Sequence, residues 1–359
     1  MQGQVDISYQ PFKVKSSRPF EIQRLFLNRT PEQVVQFIGL AYSLCGKAQK
    51  FAAKLALNEL LTTEEKHKLN REVRVETLKE HYINISKTLF TENILTQEQY
   101  SKSLQGAGNW VNHFAKNDIE NNQQTIIQTI KDTFELLIPG LTDLTKLNIK
   151  HKKTLLKLNA ICPSIILINN KVKFNENPLN NSKALQKNIE ESMLDTSTWL
   201  KWVETPELNG SSVENSIYSK VTLMGVNLNG LTTDPLQQRF ISKLIDVIMQ
   251  IQVLENSPNA ESETVFFQQT QQNISVSWVE TARGRLYHMA EINLKTGKVE
   301  NYAISAPTEW NFHPKGIAQQ LILDLPKLDF ESWKNQVYKI AQIIDPCVPI
   351  NITQGNSNA

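Results

Sequence analysis

The chain has 359 residues, 38 Lys and Arg against 36 Asp and Glu, 40% apolar residues and only three cysteines. A net charge of +2 supplies no strongly basic face for a polyanion, which argues against nucleic-acid or membrane-surface binding, and no apolar run reaches the ~18 residues that span a bilayer. Cys45, Cys162 and Cys347 are too few and too dispersed for a disulfide framework, so a cytoplasmic protein is expected.

The first thirty residues lack periodicity and are punctuated by Pro11 and Pro19, so strand or coil is expected there. Thr30-Pro31-Glu32-Gln33 then supplies an N-cap, a proline at the first helical position and a capping-box glutamine. Val34, Val35, Phe37, Ile38, Ala41 and Leu44 form one apolar stripe, and the helical pattern resumes from Phe51 to Leu61. Cys45 therefore stands at a break between two helices. Thr62-Thr63-Glu64-Glu65 repeats the cap signal and opens a charged segment to about Phe90, expected as a long solvent-facing helix with His81 solvated on it. Thr96 with Gln99 opens another helix ending near Gly106 and Gly108, and Gln123 to Leu137 is helical up to Pro139-Gly140.

The Asn-rich stretch Lys171 to Asn181 is the candidate internal boundary, and Ser182 to Trp202 and Asp234 to Glu255 read as helices. From Thr264 the period shifts to two, giving strands at Val265 to Phe267, Ile274 to Val279, Leu286 to Leu294 and Val299 to Ser305, with a hairpin turn at Lys295 to Lys298. Lys315 to Leu323 and Phe330 to Ile344 return to helix. The class is mainly α with a small antiparallel β-sheet, α+β, taken as a single domain over 1–359. Its parts are a helical body over about 30–255, a β-rich portion over about 264–306 and C-terminal helices with an Asp-Pro-Cys segment over 315–359.

Four short segments could carry chemistry: Ser43 to Ala48, Val279 to Gly284, Ala306 to Asn311 and Asp345 to Ile350. Each has an ordinary structural reading. A lone cysteine on an apolar helix is more often a small core residue than a ligand. Arg283-Gly284 after a strand reads as a turn with a salt-bridged arginine, an even match for any functional role. Pro307-Thr308-Glu309-Trp310-Asn311 reads as a strand end with an anchoring indole. Glu280 has Arg283 or Arg285 to pair with, His288 reads as a satisfied structural histidine, His313 as a surface residue and Cys162 as core packing.

Taken together and in order, these segments resemble the large subunit of nickel-iron hydrogenases. That family carries an Arg-Ile-Cys-Gly-x-Cys-x-x-x-His motif, a Glu-Ala-Pro-Arg-Gly strand, a Pro-Thr/Ser-x-Trp-Asn motif and a terminal Asp-Pro-Cys-x-x-Cys-x-x-His. Leu44-Cys45-Gly46, Glu280 to Gly284, Pro307 to Asn311 and Asp345 to Cys347 fall on them in sequence. The second cysteine of each pair is replaced by Ala48 and Ile350, and the histidines that follow by Ala52 and Thr353. Neither Ala nor Ile offers a lone pair, so a four-thiolate nickel site and hydrogen turnover are not expected.

What persists is the part that, in the family, faces the iron's cyanide ligands: Arg283 and Thr308, the latter following Pro307, are donors suited to cyanide nitrogens. Cys45 and Cys347 are the two candidate metal ligands and are expected to meet. The pattern is similar to hydrogenase accessory proteins of the HupK/HoxV type. The resemblance implies a non-catalytic maturation scaffold that binds an Fe(CN)2CO group transiently, without nickel. Implied partners are chaperones of the HypC/HypD type and the hydrogenase large subunit, with no nucleic acid and no membrane. A metal-free large-subunit mimic that binds those chaperones is the alternative.

Overall fold

A computed structural model of the chain describes residues 3–17, 20–42, 44–116, 123–148, 154, 155, 157, 158, 196, 199–208, 210–256 and 266–355. The expected boundary at 171–181, most of the helix expected over 182–202, and Cys162 lie outside them. The sequence reading takes 1–359 as one domain. Within it, the chain groups into two compact units built from separated segments, the first from residues 1–73, 172–219 and 263–359 and the second from 74–171 and 220–262.

The first unit opens with β1 (Val5–Ser8) and β2 (Lys13–Ser16), an antiparallel pair. β1 also pairs in parallel with β7 (Ile350–Thr353), with Val5 opposite Ile350, so a three-stranded sheet joins both ends of the described chain. Four alternating residues are too short a signal for β7 to be read from sequence. Thr30 caps α1 (Pro31–Ala41) through a capping box with Gln33. Val34, Val35 and Ile38 are buried, but Phe37 and Leu44 from the expected stripe are exposed. After the break comes α2 (Gly46–Ala56).

The main sheet has the order β3 (Phe266–Gln271), β4 (Ile274–Thr281), β5 (Gly284–Ile292) and β6 (Val299–Ser305), all antiparallel. Both faces of this sheet are covered, and the period of two sorts its side chains between two apolar cores. Val279, Leu286, Ala290, Tyr302 and Ile304 pack with Ala48, Phe51, Ala52 and Ala56 of α2. Val276, Trp278, Tyr287, Met289 and Ala303 pack with Trp310 and with Trp199 and Val203 of α6 (Trp199–Glu204). Alanines on α2 let its backbone approach the sheet closely enough for the Ser277 hydroxyl to donate to the Ala52 carbonyl at 2.7 Å.

The second unit is helical. α3 (Thr63–Thr91), capped by Thr62 and Glu65, crosses into it at Arg74. α4 (Gln97–Lys116), capped by Thr96 and Gln99, and α5 (Gln123–Leu137) follow. α7 (Ile217–Leu223) returns to it and α8 (Pro235–Asn256) completes it. α4 runs through Gly106 and Gly108 because Tyr82, Trp110 and Phe134 form a ring cluster whose packing outweighs about 1 kcal/mol of glycine propensity. α3 is not solvent-facing: Arg74, Thr77, Leu78, His81, Tyr82, Asn84 and Ile85 are buried.

The buried polar residues of α3 are matched by α8. His81 Nε2 lies 2.8 Å from Asp246 Oδ2, Arg74 donates to Gln250 Oε1 at 2.6 Å, and Lys243 donates to Asn84 Oδ1 at 2.6 Å. Lys220 Nζ donates to the other Asp246 oxygen at 2.7 Å. Burial alone would raise the Asp246 carboxyl, but Lys220 and His81 outweigh it and hold that group well below the usual carboxylate range. Among the described residues, no helix is long and apolar enough to cross a membrane.

Candidate functional site

The site residues belong to the first unit. α9 (Pro307–Asn311) is a short helix rather than the expected strand end, because Pro307 sits at its first turn and the Glu309 carboxylate returns to the Ala306 N–H at 3.1 Å. It buries Thr308 to 2% exposure. α11 (Phe330–Ile344), which follows α10 (Ile317–Leu323), ends where Asp345 takes a left-handed conformation, φ 63°, and turns the chain into the Asp-Pro-Cys segment.

That turn brings Cys347 onto Thr308. The Cys347 N–H donates to Thr308 Oγ1 at 3.0 Å, and Oγ1 lies 3.1 Å from Cys347 Sγ. A hydroxyl that accepts from the amide keeps its own proton to donate to sulfur, so this pair can stabilise a thiolate facing a metal. Arg283 meets this segment at Asp345, two residues before Cys347, its Nε 3.4 Å from Asp345 Oδ2 with both side chains largely buried. Thr308, Cys347, Arg283 and Asp345 thus form one group, with Pro307 setting the helix that carries Thr308.

Cys45 stands at the N-cap of α2, in a left-handed conformation of φ 48° and ψ 34°. A non-glycine residue there costs about 1–3 kcal/mol and persists where the surroundings enforce it. They do so here: Cys45 packs on the cluster that holds Ala48, Leu286 and Ala306, and its carbonyl takes the Gln49 N–H at 2.9 Å. Ala48 and Ala52, at the positions of the family's second cysteine and histidine, are 1% and 0% exposed in that core. Ile350 lies in β7. Among the described residues, no group of three or more His, Cys, Asp or Glu is arranged to hold a metal ion.

The neighbouring titratable groups are structural. Glu280 pairs with Arg285, not Arg283, at 2.8 Å, and Arg285 stacks over Trp278 at 4.1 Å. Burial opposes the Arg285 charge, but the Glu280 carboxylate outweighs it and raises the guanidinium further above its ordinary value. His288 is fully buried between Tyr302 Oη at 2.7 Å and Gln49 Oε1 at 2.9 Å. Burial pushes its pKa down to about 3, so it is neutral. His313 is also buried, not on the surface as expected. Its Nδ1 accepts the Lys315 N–H at 3.0 Å and Glu207 lies 3.6 Å from Nε2.

Thr308→Val should cost about 1–3 kcal/mol, the usual penalty when a buried donor loses its acceptor, and Thr308→Ser should restore most of it. Urea unfolding midpoints of the two variants check this.

No family model matches the chain. A stretch of 74 residues is 45% identical to the hydrogenase expression/formation protein HupK of Rhizobium leguminosarum bv. viciae, covering 21% of this chain and 20% of that protein. Another of 80 residues is 35% identical to the hydrogenase expression/formation protein HoxV of Cupriavidus necator, covering 22% and 21%. The matched stretches therefore span about a fifth of these relatives. Among solved structures, the Ni-Fe-Se hydrogenase of D. vulgaris Hildenborough superposes with a TM-score of 0.60 at 13% identity, over 96% of this chain and 94% of that one. The [NiFeSe]-hydrogenase of Dm. baculatum gives 0.57 at 15% identity, over 93% of each. The chain has the fold of nickel-iron hydrogenase large subunits and sequence similarity to hydrogenase expression/formation proteins.

Proposed function

We propose that this chain is a non-catalytic hydrogenase maturation protein of the cytoplasm that receives an Fe(CN)2CO unit as cargo and holds it for the large subunit. Cys347 and Cys45 are the thiolates offered to iron. The observation that carries the reading is the Thr308 hydroxyl, buried and 3.1 Å from Cys347 Sγ. Arg283, on the adjoining Asp345, supplies a guanidinium beside the same sulfur-bearing segment. These donors suit anionic cyanide nitrogens, and thiolate suits the iron.

Nickel is not part of the reading, since three cysteines do not complete a four-thiolate set and the Ala48 methyl is buried in an apolar core. Chaperones of the HypC/HypD type would deliver the cargo. A second reading, a metal-free mimic of the large subunit, is favoured by one contact: the Asp345 carboxylate already faces the Arg283 guanidinium.

Infrared spectroscopy of protein purified without oxygen from cells with intact maturation machinery tests the first reading. Cyanide and carbonyl stretching bands are expected, and both should disappear in Cys347→Ser. Their absence from wild-type protein with both thiols reduced overturns it. Undiminished hydrogenase maturation in a Cys45→Ala, Cys347→Ala double variant that still binds the chaperone favours the mimic.

A further inference from the structure

Asn215 lies in the first unit, outside every motif the sequence singles out, and makes four hydrogen bonds. Its N–H donates to Asn311 Oδ1 at 2.9 Å, and its carbonyl accepts from Asn311 Nδ2 at 2.8 Å. Its own side chain does the reverse to a second backbone: Oδ1 accepts the Arg285 N–H at 2.7 Å and Nδ2 donates to the Arg285 carbonyl at 2.8 Å. One residue therefore closes two paired amide contacts, one to α9 and one to the start of β5, just after the turn that carries Arg283. The inventory of an asparagine amide meets both Arg285 groups. Aspartate would place a carboxylate oxygen against the Arg285 carbonyl, and glutamine is one methylene too long.

The turn is built around this approach. Gly284 has φ 131°, and a Cβ there would lie 2.3 Å from the Asn215 carbonyl oxygen, so only glycine lets Asn215 come this close. On the other side of Arg283, Thr281 Oγ1 accepts the Arg283 N–H at 3.2 Å and donates to the Gly284 carbonyl at 2.8 Å. The Arg283 backbone is thus bracketed by Thr281 and by the Gly284-Arg285 step that Asn215 grips. At the other end, Asn311 lies in the same short helix as Thr308, one turn on.

We propose that Asn215 is a positioning residue, locking the Arg283 turn and the Thr308 helix into one rigid body so that guanidinium and hydroxyl keep a fixed relation to Cys347. The inference rests on the cargo reading for what the pair recognises, and on the four hydrogen bonds for the coupling itself. Two readouts separate these.

The first is amide hydrogen exchange in the full-length protein, followed on peptides over 282–286 and 307–312. Asn215→Ala removes the side-chain pair on Arg285 and Asn311→Ala the pair on the Asn215 backbone; in each variant both segments should exchange at least tenfold faster, while peptides from β3 and α11 keep their wild-type rates. Asn215→Asp, which retains the acceptor for the Arg285 N–H, should fall between, and it carries the test if Asn215→Ala does not fold. Faster exchange in only one segment, or in neither, overturns the coupling.

The second is the infrared spectrum of protein prepared as above. The cyanide bands should shift or broaden in Asn215→Ala, with the carbonyl band moving less, since the two side chains address cyanide. Wild-type cyanide bands in a variant with accelerated exchange overturn the positioning role and leave a purely structural clamp. If wild-type protein has no bands, the cargo reading falls, and the exchange data alone decide whether the two segments are coupled.

Discussion

Replacing Asp246 by alanine should lower the stability of the second unit by about 3–5 kcal/mol, the range for removing one partner from a buried ion pair. Asp246 is fully buried and takes Lys220 on one oxygen and His81 on the other, with Gln250 Nε2 at 3.3 Å. The alanine variant leaves the Lys220 ammonium, itself 15% exposed, without the carboxylate that neutralises it inside the unit. Against a typical total of about 5–15 kcal/mol, that loss is large enough to unfold a marginal unit. Asp246→Asn keeps the shape and part of the hydrogen bonding and should cost less. Urea denaturation of both variants, followed by the fluorescence of Trp110 in the same unit, measures the difference. A loss below about 1 kcal/mol in Asp246→Ala would place the pair among ordinary surface ion pairs, contrary to its burial.

This network was invisible in sequence for a physical reason. Arg74, His81 and Asn84 recur on α3 at the spacing of one polar helix face, and the groups that offset their cost of burial sit on α8, far along the chain. Periodicity reports which residues share a face of a helix, not whether that face meets water or a complementary set of polar groups. The elements themselves were readable because their signals are local. The three capping boxes at Thr30, Thr62 and Thr96 all form, and the period of two from Ile274 to Ser305 became a sheet with two covered faces. Gly106 and Gly108 misled as stop signals because the ring cluster of Tyr82, Trp110 and Phe134 supports the helix past them.

The site divides along the same line. Order and residue type pointed to Thr308, Cys347 and Arg283, and the structure joins Thr308 to Cys347 and Arg283 to the adjoining Asp345. Asn215 carried no such signal, since an asparagine in a polar loop is the commonest of turn residues. Its role depends on two partners that are close only after folding. The salt bridge that competed with a functional role for Arg283 exists too, and its partner is Asp345 rather than Glu280. A structural and a recognition role for Arg283 are therefore compatible, because pairing on one edge of a guanidinium leaves the fork's remaining donors in a fixed orientation.

The second large effect expected is acid sensitivity through His288. With Gln49 Oε1 as an acceptor at Nε2, the neutral ring carries its proton there and receives the Tyr302 hydroxyl at Nδ1, so one tautomer satisfies both contacts. Protonation would place a second N–H against Tyr302 and a charge in a fully buried position, which is why its pKa falls to about 3 from the ordinary 6.5. In the pH window between those values the unfolded chain binds the proton and the folded chain does not, so stability rises with pH there. It is complete above about 6.5 and is lost as pH falls toward 3, by a few kcal/mol at about 1.4 kcal/mol per pH unit. Asp246 leaves the upper part of this window clear, because its contribution begins to fade only near its ordinary 3.8. His288→Gln should lose some stability at pH 7 yet show a shallower profile than wild-type protein from pH 6.5 to 4.5, the remaining slope coming from His313, whose burial also pushes its pKa down. Urea midpoints of the two proteins across that range decide it, and parallel slopes would assign the acid sensitivity elsewhere. The consequence reaches the site: Gln49 lies one turn into α2 from Cys45, so the neutral His288 that holds Gln49 also holds the helix end on which that thiol sits.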